Sequence, residues 1–147
     1  MPDPARNFQA FSASLEASGF QVTPHSAPWR PTYVAKVNEG SAGDLNLIGW
    51  SGDYGDPDNF VGTFFKTPNP QFNFNNPAIF NILTRAANEA NYKKRVGLYE
   101  KANIMIMKYL PAVPYAHSLS LLGAEKRVHN LIAMPTGGTW FQSATVG

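Results

Sequence analysis

Three carboxylates, Asp53, Asp56 and Asp58, stand close together in the stretch Gly49-Trp50-Ser51-Gly52-Asp53-Tyr54-Gly55-Asp56-Pro57-Asp58-Asn59-Phe60. Carboxylates spaced this way can begin a calcium loop, share a proton in acid/base catalysis, or pair with a cationic ligand. A calcium loop of the EF-hand type needs a bidentate carboxylate at its twelfth position, and that position here is Phe64. A hydrolase using Asp53 and Asp56 is chemically open, although acidic Gly/Pro turns commonly occur without catalysis. Asp56 also suits the cap of a helix that starts at Pro57. Asp58 would then lie in its first turn, where the helix dipole favours negative charge. Asp53 precedes that cap. It lies beside Gly52 and Gly55, where a permissive backbone lets a ligand come close, and its carboxylate can pair with a ligand ammonium. Trp50 either floors a pocket at this corner or closes the core beneath it.

The rest of the sequence narrows the chemistry. His25, His117 and His129 are far apart and lack metal-ligand spacing. His117 falls on an alternating apolar segment and reads as a structural histidine. There is no Gly-x-Ser-x-Gly elbow and no glycine-rich phosphate loop. The absence of cysteine excludes disulfides, zinc thiolate sites and a cysteine nucleophile. No cofactor is expected. The net charge is only +2, and the one basic cluster, Lys93-Lys94-Arg95, falls in a helical pattern where a solvated face is the simpler reading than nucleic-acid contact. Trp29, Trp140 and Tyr115 read as packing residues.

The elements that must position the corner follow an α/β pattern. The 147 residues are 44% hydrophobic and 15% charged, which suits one domain with a real core. Asp3 and Pro4 open a helix over about residues 4–18, with Phe8, Phe11 and Leu15 on one stripe and Gly19 as its stop. Residues 20–23 alternate as a strand. A short helix follows from Trp29, with Tyr33, Val34 and Val37 on one face and Gly40 as its end. Residues 44–50 are nearly continuously apolar and read as a buried strand that delivers the corner. Residues 57–65 read as a short helix and 66–77 as a loop. Asn76-Pro77 opens a helix striped by Ile79, Ile82, Leu83 and Ala86. Asn91 separates it from another helix over 92–110, which Pro111 ends. Residues 112–122 and 128–134 read as strands, Gly137-Gly138 as a turn and 139–141 as a last apolar piece. Met1-Pro2-Asp3-Pro4 does not read as a secretory leader, and no apolar run approaches the ~20 residues of a membrane span.

The Gly49–Phe60 stretch resembles the signature of the dipeptide/oligopeptide substrate-binding proteins of ABC importers, solute-binding family 5. Phe8-Gln9-Ala10, Gly19-Phe20-Gln21-Val22, Trp29 and Tyr33 resemble the family's segments upstream of it. Arg95-Val96-Gly97-Leu98-Tyr99-Glu100-Lys101-Ala102, Pro111-Ala112-Val113-Pro114-Tyr115-Ala116-His117 and residues 128–141 resemble those downstream. The resemblance implies a mixed sheet flanked by helices, the C-terminal lobe of a two-lobed fold. Residues 1–147 would be part of that second lobe, and residues 118–147 the segment returning toward a first lobe that the chain lacks. It implies binding without chemistry, an extracytoplasmic location in the periplasm or on a cell-surface lipoprotein, and delivery of a peptide to an ABC permease. Asp53 would pair with the peptide's ammonium and Trp50 would line the side-chain pocket. Gly49 and Ser51 would offer backbone groups to an extended peptide. Haem, a nickel chelate or an oligosaccharide is the alternative ligand. The chain alone is expected to bind peptide weakly and to self-associate through uncovered sheet edges.

Overall fold

The computed structural model describes residues 3–117, 121–134 and 136–147. It divides into two compact units. One comprises residues 1–49 with 69–73, and the other residues 50–68 with 74–147.

The first unit begins with helix α1, Pro4–Ala17, capped by Asp3, whose side chain accepts from the Arg6 amide. Its apolar stripe forms, but no α1 residue is fully buried. A π-type turn over Trp29–Tyr33 runs into α2, Val34–Glu39, which ends at Gly40 with φ 72°. A side chain at Gly40 would also strike the Pro70 carbonyl, so both backbone angle and space demand glycine there. Val37 is fully buried, and Gln71, in a short 3-10 turn over Pro70–Phe72, is nearly so.

In the second unit a π-type turn, Asp58–Gly62, leads into a single helical turn α3, Thr63–Phe65. Helix α4, Pro77–Asn88, starts where Asn76 accepts from the Ala78 and Ile79 amides. Helix α5, Tyr92–Tyr109, starts where Asn91 accepts from the Lys94 amide. Their contact buries Ile79, Ile82, Leu83 and Ala86 of α4 and Tyr99, Ala102 and Ile106 of α5. The four α4 residues are the stripe that the 3.6-residue period predicts; on α5 the period holds at Tyr99, Ala102 and Ile106, while Val96 is half-buried and Leu110, just past the helix, is exposed. Phe74 packs edge-on against Phe65 at 5.1 Å, Phe80 at 5.7 Å and Tyr109 at 5.2 Å, joining α3 to both helices.

The C-terminal segment forms two nested antiparallel pairs. β2, Ile132–Ala133, pairs with β3, Thr139–Trp140, around Gly137. β1, Val128–His129, pairs outside them with β4, Thr145–Val146. Asn130, at φ 59°, and the Ser143 hydroxyl bonded to its carbonyl mark the offset between the two pairs.

Helices and small sheets are thus both present, but the mixed sheet expected from the sequence does not form among the described residues, where every ladder is antiparallel. Residues 20–23, 44–50 and 112–117 with 121–122 form no strand; residues 118–120 of that last segment lie outside the described residues. A strand exists only where a neighbour takes its N–H and C=O groups. At Leu47 a side chain does so instead: the Tyr33 hydroxyl donates to its carbonyl at 2.8 Å and accepts from its amide at 2.9 Å.

Leu83 is wholly buried in the α4–α5 contact. Leu83→Ala is expected to destabilise the chain by about 2–5 kcal/mol, read from urea unfolding followed by far-ultraviolet circular dichroism.

Candidate functional site

The corner is built within the second unit around Asn59, which is only 5% exposed. Its carbonyl accepts from the Trp50 indole N–H and from the Thr63 hydroxyl, both at 2.8 Å. Its side-chain oxygen accepts from the Asp53 amide at 2.7 Å, and its own amide donates to the Asp56 carbonyl at 3.0 Å. Trp50 is 44% exposed and stands edge-on to Phe64 at 5.5 Å, so the ring is anchored along one side and open on another. Gly52 does not leave room for a ligand, as its position beside Asp53 suggested. It is buried, and a side chain there would collide with the Phe60 ring.

The three carboxylates take separate roles. Asp56 accepts from the Asp58 amide at 2.8 Å, as a helix cap should. Its two oxygens also receive Nη2 of Arg95, each at 2.8 Å. Asp58 receives Lys66 at 2.6 Å on Oδ2, while its Oδ1 is buried without a hydrogen bond against Gly62, where a side chain would strike it. Asp53 is exposed, and its carboxylate takes no hydrogen bond or ion pair among the described residues. The backbones of Ser51, in this unit, and of Gly49, the last residue before it, are likewise unbonded among the described residues, and both residues are exposed.

Arg95 was read from sequence as part of a solvated basic run, and that reading fails for it. Its Nε donates to the Ala86 carbonyl at 3.2 Å, its guanidinium carbon lies 5.3 Å from the centre of the Tyr99 ring, and the side chain ties α5 to the corner. Its place one turn before buried Tyr99, on the edge of the apolar stripe, is the signal that separates it from Lys93 and Lys94. Asn59 also carries a legible signal. With Asp56 as cap it occupies the third helical position, from which a side chain reaches back toward preceding amides.

The Asp58 amide, the largest influence, holds the Asp56 carboxyl below the ordinary carboxylate range; burial opposes this, and Arg95 adds to it. Burial raises the Tyr99 phenol, against the pull of Arg95. A depressed carboxyl adds stability above its unfolded pKa and loses it as pH falls through the folded one. Urea midpoints should therefore fall as the solution is acidified below about pH 4, and Asp56→Asn should flatten that fall while lowering the midpoint at neutral pH.

Among the described residues no group of three His, Cys, Asp or Glu side chains could hold a metal ion, and no helix is long and apolar enough to cross a membrane. No family model and no solved structure matches the chain. Curated proteins do. Heme-binding protein A of Haemophilus influenzae is 29% identical over 99% of this chain and 27% of its own length. Di/tripeptide-binding protein 4 of Pseudomonas aeruginosa is 28% identical over 99% of this chain and 28% of its own. Peptide transport periplasmic protein SapA of Salmonella typhimurium is 28% identical over 95% of this chain and 26% of its own. The chain thus spans about a quarter of the length of these relatives. By sequence, it is a homologue of the periplasmic peptide-binding proteins of solute-binding family 5, matched over one segment of them.

Proposed function

We propose that the chain is the peptide-binding part of a substrate-binding protein of an ABC importer, with Asp53 and Trp50 receiving the amino end of a di- or oligopeptide. The observation that carries this reading is the division among the carboxylates. Asp56 and Asp58 are engaged by Arg95 and Lys66, whereas Asp53 presents a carboxylate unpaired among the described residues, from a backbone held in place by Asn59. A fixed carboxylate beside an open aromatic face suits an ammonium followed by a side chain. Backbone groups at Ser51, unbonded among the described residues, suit the peptide bond that comes next, a role we also propose for Gly49 from its place in the sequence. The names of the relatives, di/tripeptide-binding and peptide transport periplasmic proteins, support the same ligand class and a location outside the cytoplasm.

On this reading the chain corresponds to part of the second lobe of a two-lobed protein, with residues 118–147 returning toward the first. That lobe completes the cleft, and a membrane permease receives the ligand. The role is binding alone. A hydrolase pair of Asp53 and Asp56 is disfavoured because the Asp56 carboxylate is already committed to Arg95 and the Asp58 amide. Haem is the second reading, favoured by the name of the Haemophilus relative. A nickel chelate or an oligosaccharide has no comparable support.

Amide-resolved NMR titration with dialanine and with N-acetyl-dialanine tests the reading at the weak affinity expected of one lobe. Dialanine should shift the Trp50 indole and Asp53 amide signals, the acetylated form should not, and Asp53→Asn should weaken dialanine binding about tenfold or more. Equal shifts from both ligands would rule out ammonium pairing, and a Soret change on haem addition with no dialanine response would favour the second reading.

The three segments that form no strand expose Phe20, Leu45, Val113 and Leu121, each above 60%. We infer that they seek sheet partners and that the chain self-associates. Sedimentation velocity should show the weight-average mass rising with concentration, and a concentration-independent monomer would contradict it.

A further inference from the structure

We propose that Asn59 is the positioning residue of this site: its side chain sets where Asp53 stands, its main chain sets where Trp50 stands, and the pair is thereby presented to a ligand as one unit. The proposal rests on the peptide-binding reading for its consequence, but its geometry stands apart from it.

Asn59 and Gln71 are the two buried polar residues among those described. Burying an amide is costly unless its hydrogen-bonding groups find partners, so a buried Asn at this point needs a reason. The reason is visible in what it bonds. The Asp53 backbone can offer only an N–H, so the atom facing it is Oδ1, at 2.7 Å. Five residues, Tyr54 to Asp58, separate the two, and among the described residues this is the one hydrogen bond that Asp53 makes. The Asn59 carbonyl accepts the Trp50 indole at 2.8 Å and the Thr63 hydroxyl at 2.8 Å. Its amide bonds the Asp56 carbonyl at 3.0 Å, and Asp56 is held in turn by Arg95. A shift of the Asn59 backbone would therefore move Trp50 and Asp53 together, and loss of its side chain would release Asp53. Gly52 belongs to the same device: it lies under the Phe60 ring, and the position a Cβ would take is 3.0 Å from Asn59 Oδ1, so any side chain there would press on the amide.

A residue that merely stabilised the fold would weaken every ligand alike. A positioning residue changes which ligand is preferred. The test compares Asn59→Ala, which removes the acceptor, with Asn59→Asp, which keeps it, against the wild-type chain. Two quantities are read by NMR: hydrogen exchange of the Asp53 amide without ligand, and the ratio of dialanine to N-acetyl-dialanine affinity. In Asn59→Ala the exchange should speed up by about tenfold and the affinity ratio should collapse toward unity. In Asn59→Asp the exchange protection should return. Unchanged Asp53 exchange in Asn59→Ala overturns the proposal, as does an equal loss of affinity for both ligands. If Asn59→Ala does not fold, Gly52→Ala, which presses on the same amide, takes its place with the same two readouts, and unchanged Asp53 exchange there also overturns the proposal. If the wild-type chain shows no preference for dialanine, the peptide reading fails, while the exchange measurement still decides whether Asn59 holds Asp53.

Discussion

Arg95 reaches from helix α5 to the carboxylate of Asp56, and where the corner sits depends on that contact. The stretch from Trp50 to Phe60 has little burial of its own; of its residues only Gly52 and Asn59 are buried. Without a sheet ladder or a long helix, its backbone is held by discrete bonds to neighbours. Arg95 supplies the one that spans the longest separation in sequence among the side-chain bonds described. The guanidinium does three things at once. It neutralises the cap of the next turn, it takes a carbonyl near the end of α4, and it lies over the Tyr99 ring. A lysine could supply the charge but not this fork.

A second connection runs through aromatic rings. Trp50 stands against Phe64, Phe64 beside Phe65, Phe65 against Phe74, and Phe74 against Tyr109. Rings packed edge to face lose little freedom and resist shear better than flexible side chains. The exposed indole is therefore one end of a chain of rings that passes through buried Phe65 and Phe74 to Tyr109 at the end of α5. The corner is thus tied to the rest of its unit by ring contacts as well as hydrogen bonds, although most of its surface meets solvent.

What could be read from the sequence was local. Asn76-Pro77 and Asn91 announce helix starts because a cap and the amides it bonds lie within four residues of one another. The Ile79–Ala86 stripe announces a buried face because period alone decides it. The separation of Asp56 from Asp53 followed from capping logic. The strands at residues 20–23 and 44–50 were misread because apolar alternation or an apolar run names a candidate strand without naming its partner; none of these residues is buried, and Leu47 is satisfied by Tyr33 rather than by a ladder. Arg95 was misread because two neighbouring lysines made it resemble a solvated face. Asn59 was passed over because a single amide beside two aspartates has no apolar pattern, and its partner at Asp53 lies in irregular chain.

Three of the caps share a chemistry that those at Asp3 and Asp56 lack. Asn69, Asn76 and Asn91 all accept backbone amides through a carboxamide rather than a carboxylate. These bonds carry no titratable proton, so these three starts hold in acid, where the ion pair at Asp56 weakens. An amide cap has a hazard of its own, since asparagine deamidates when the next backbone nitrogen attacks the side chain to form a cyclic imide. At Asn69 and Asn76 the next residue is proline, whose nitrogen carries no hydrogen and cannot form that ring. The residues that start these two helical segments are thus shielded from that route of deamidation by the residues that follow them.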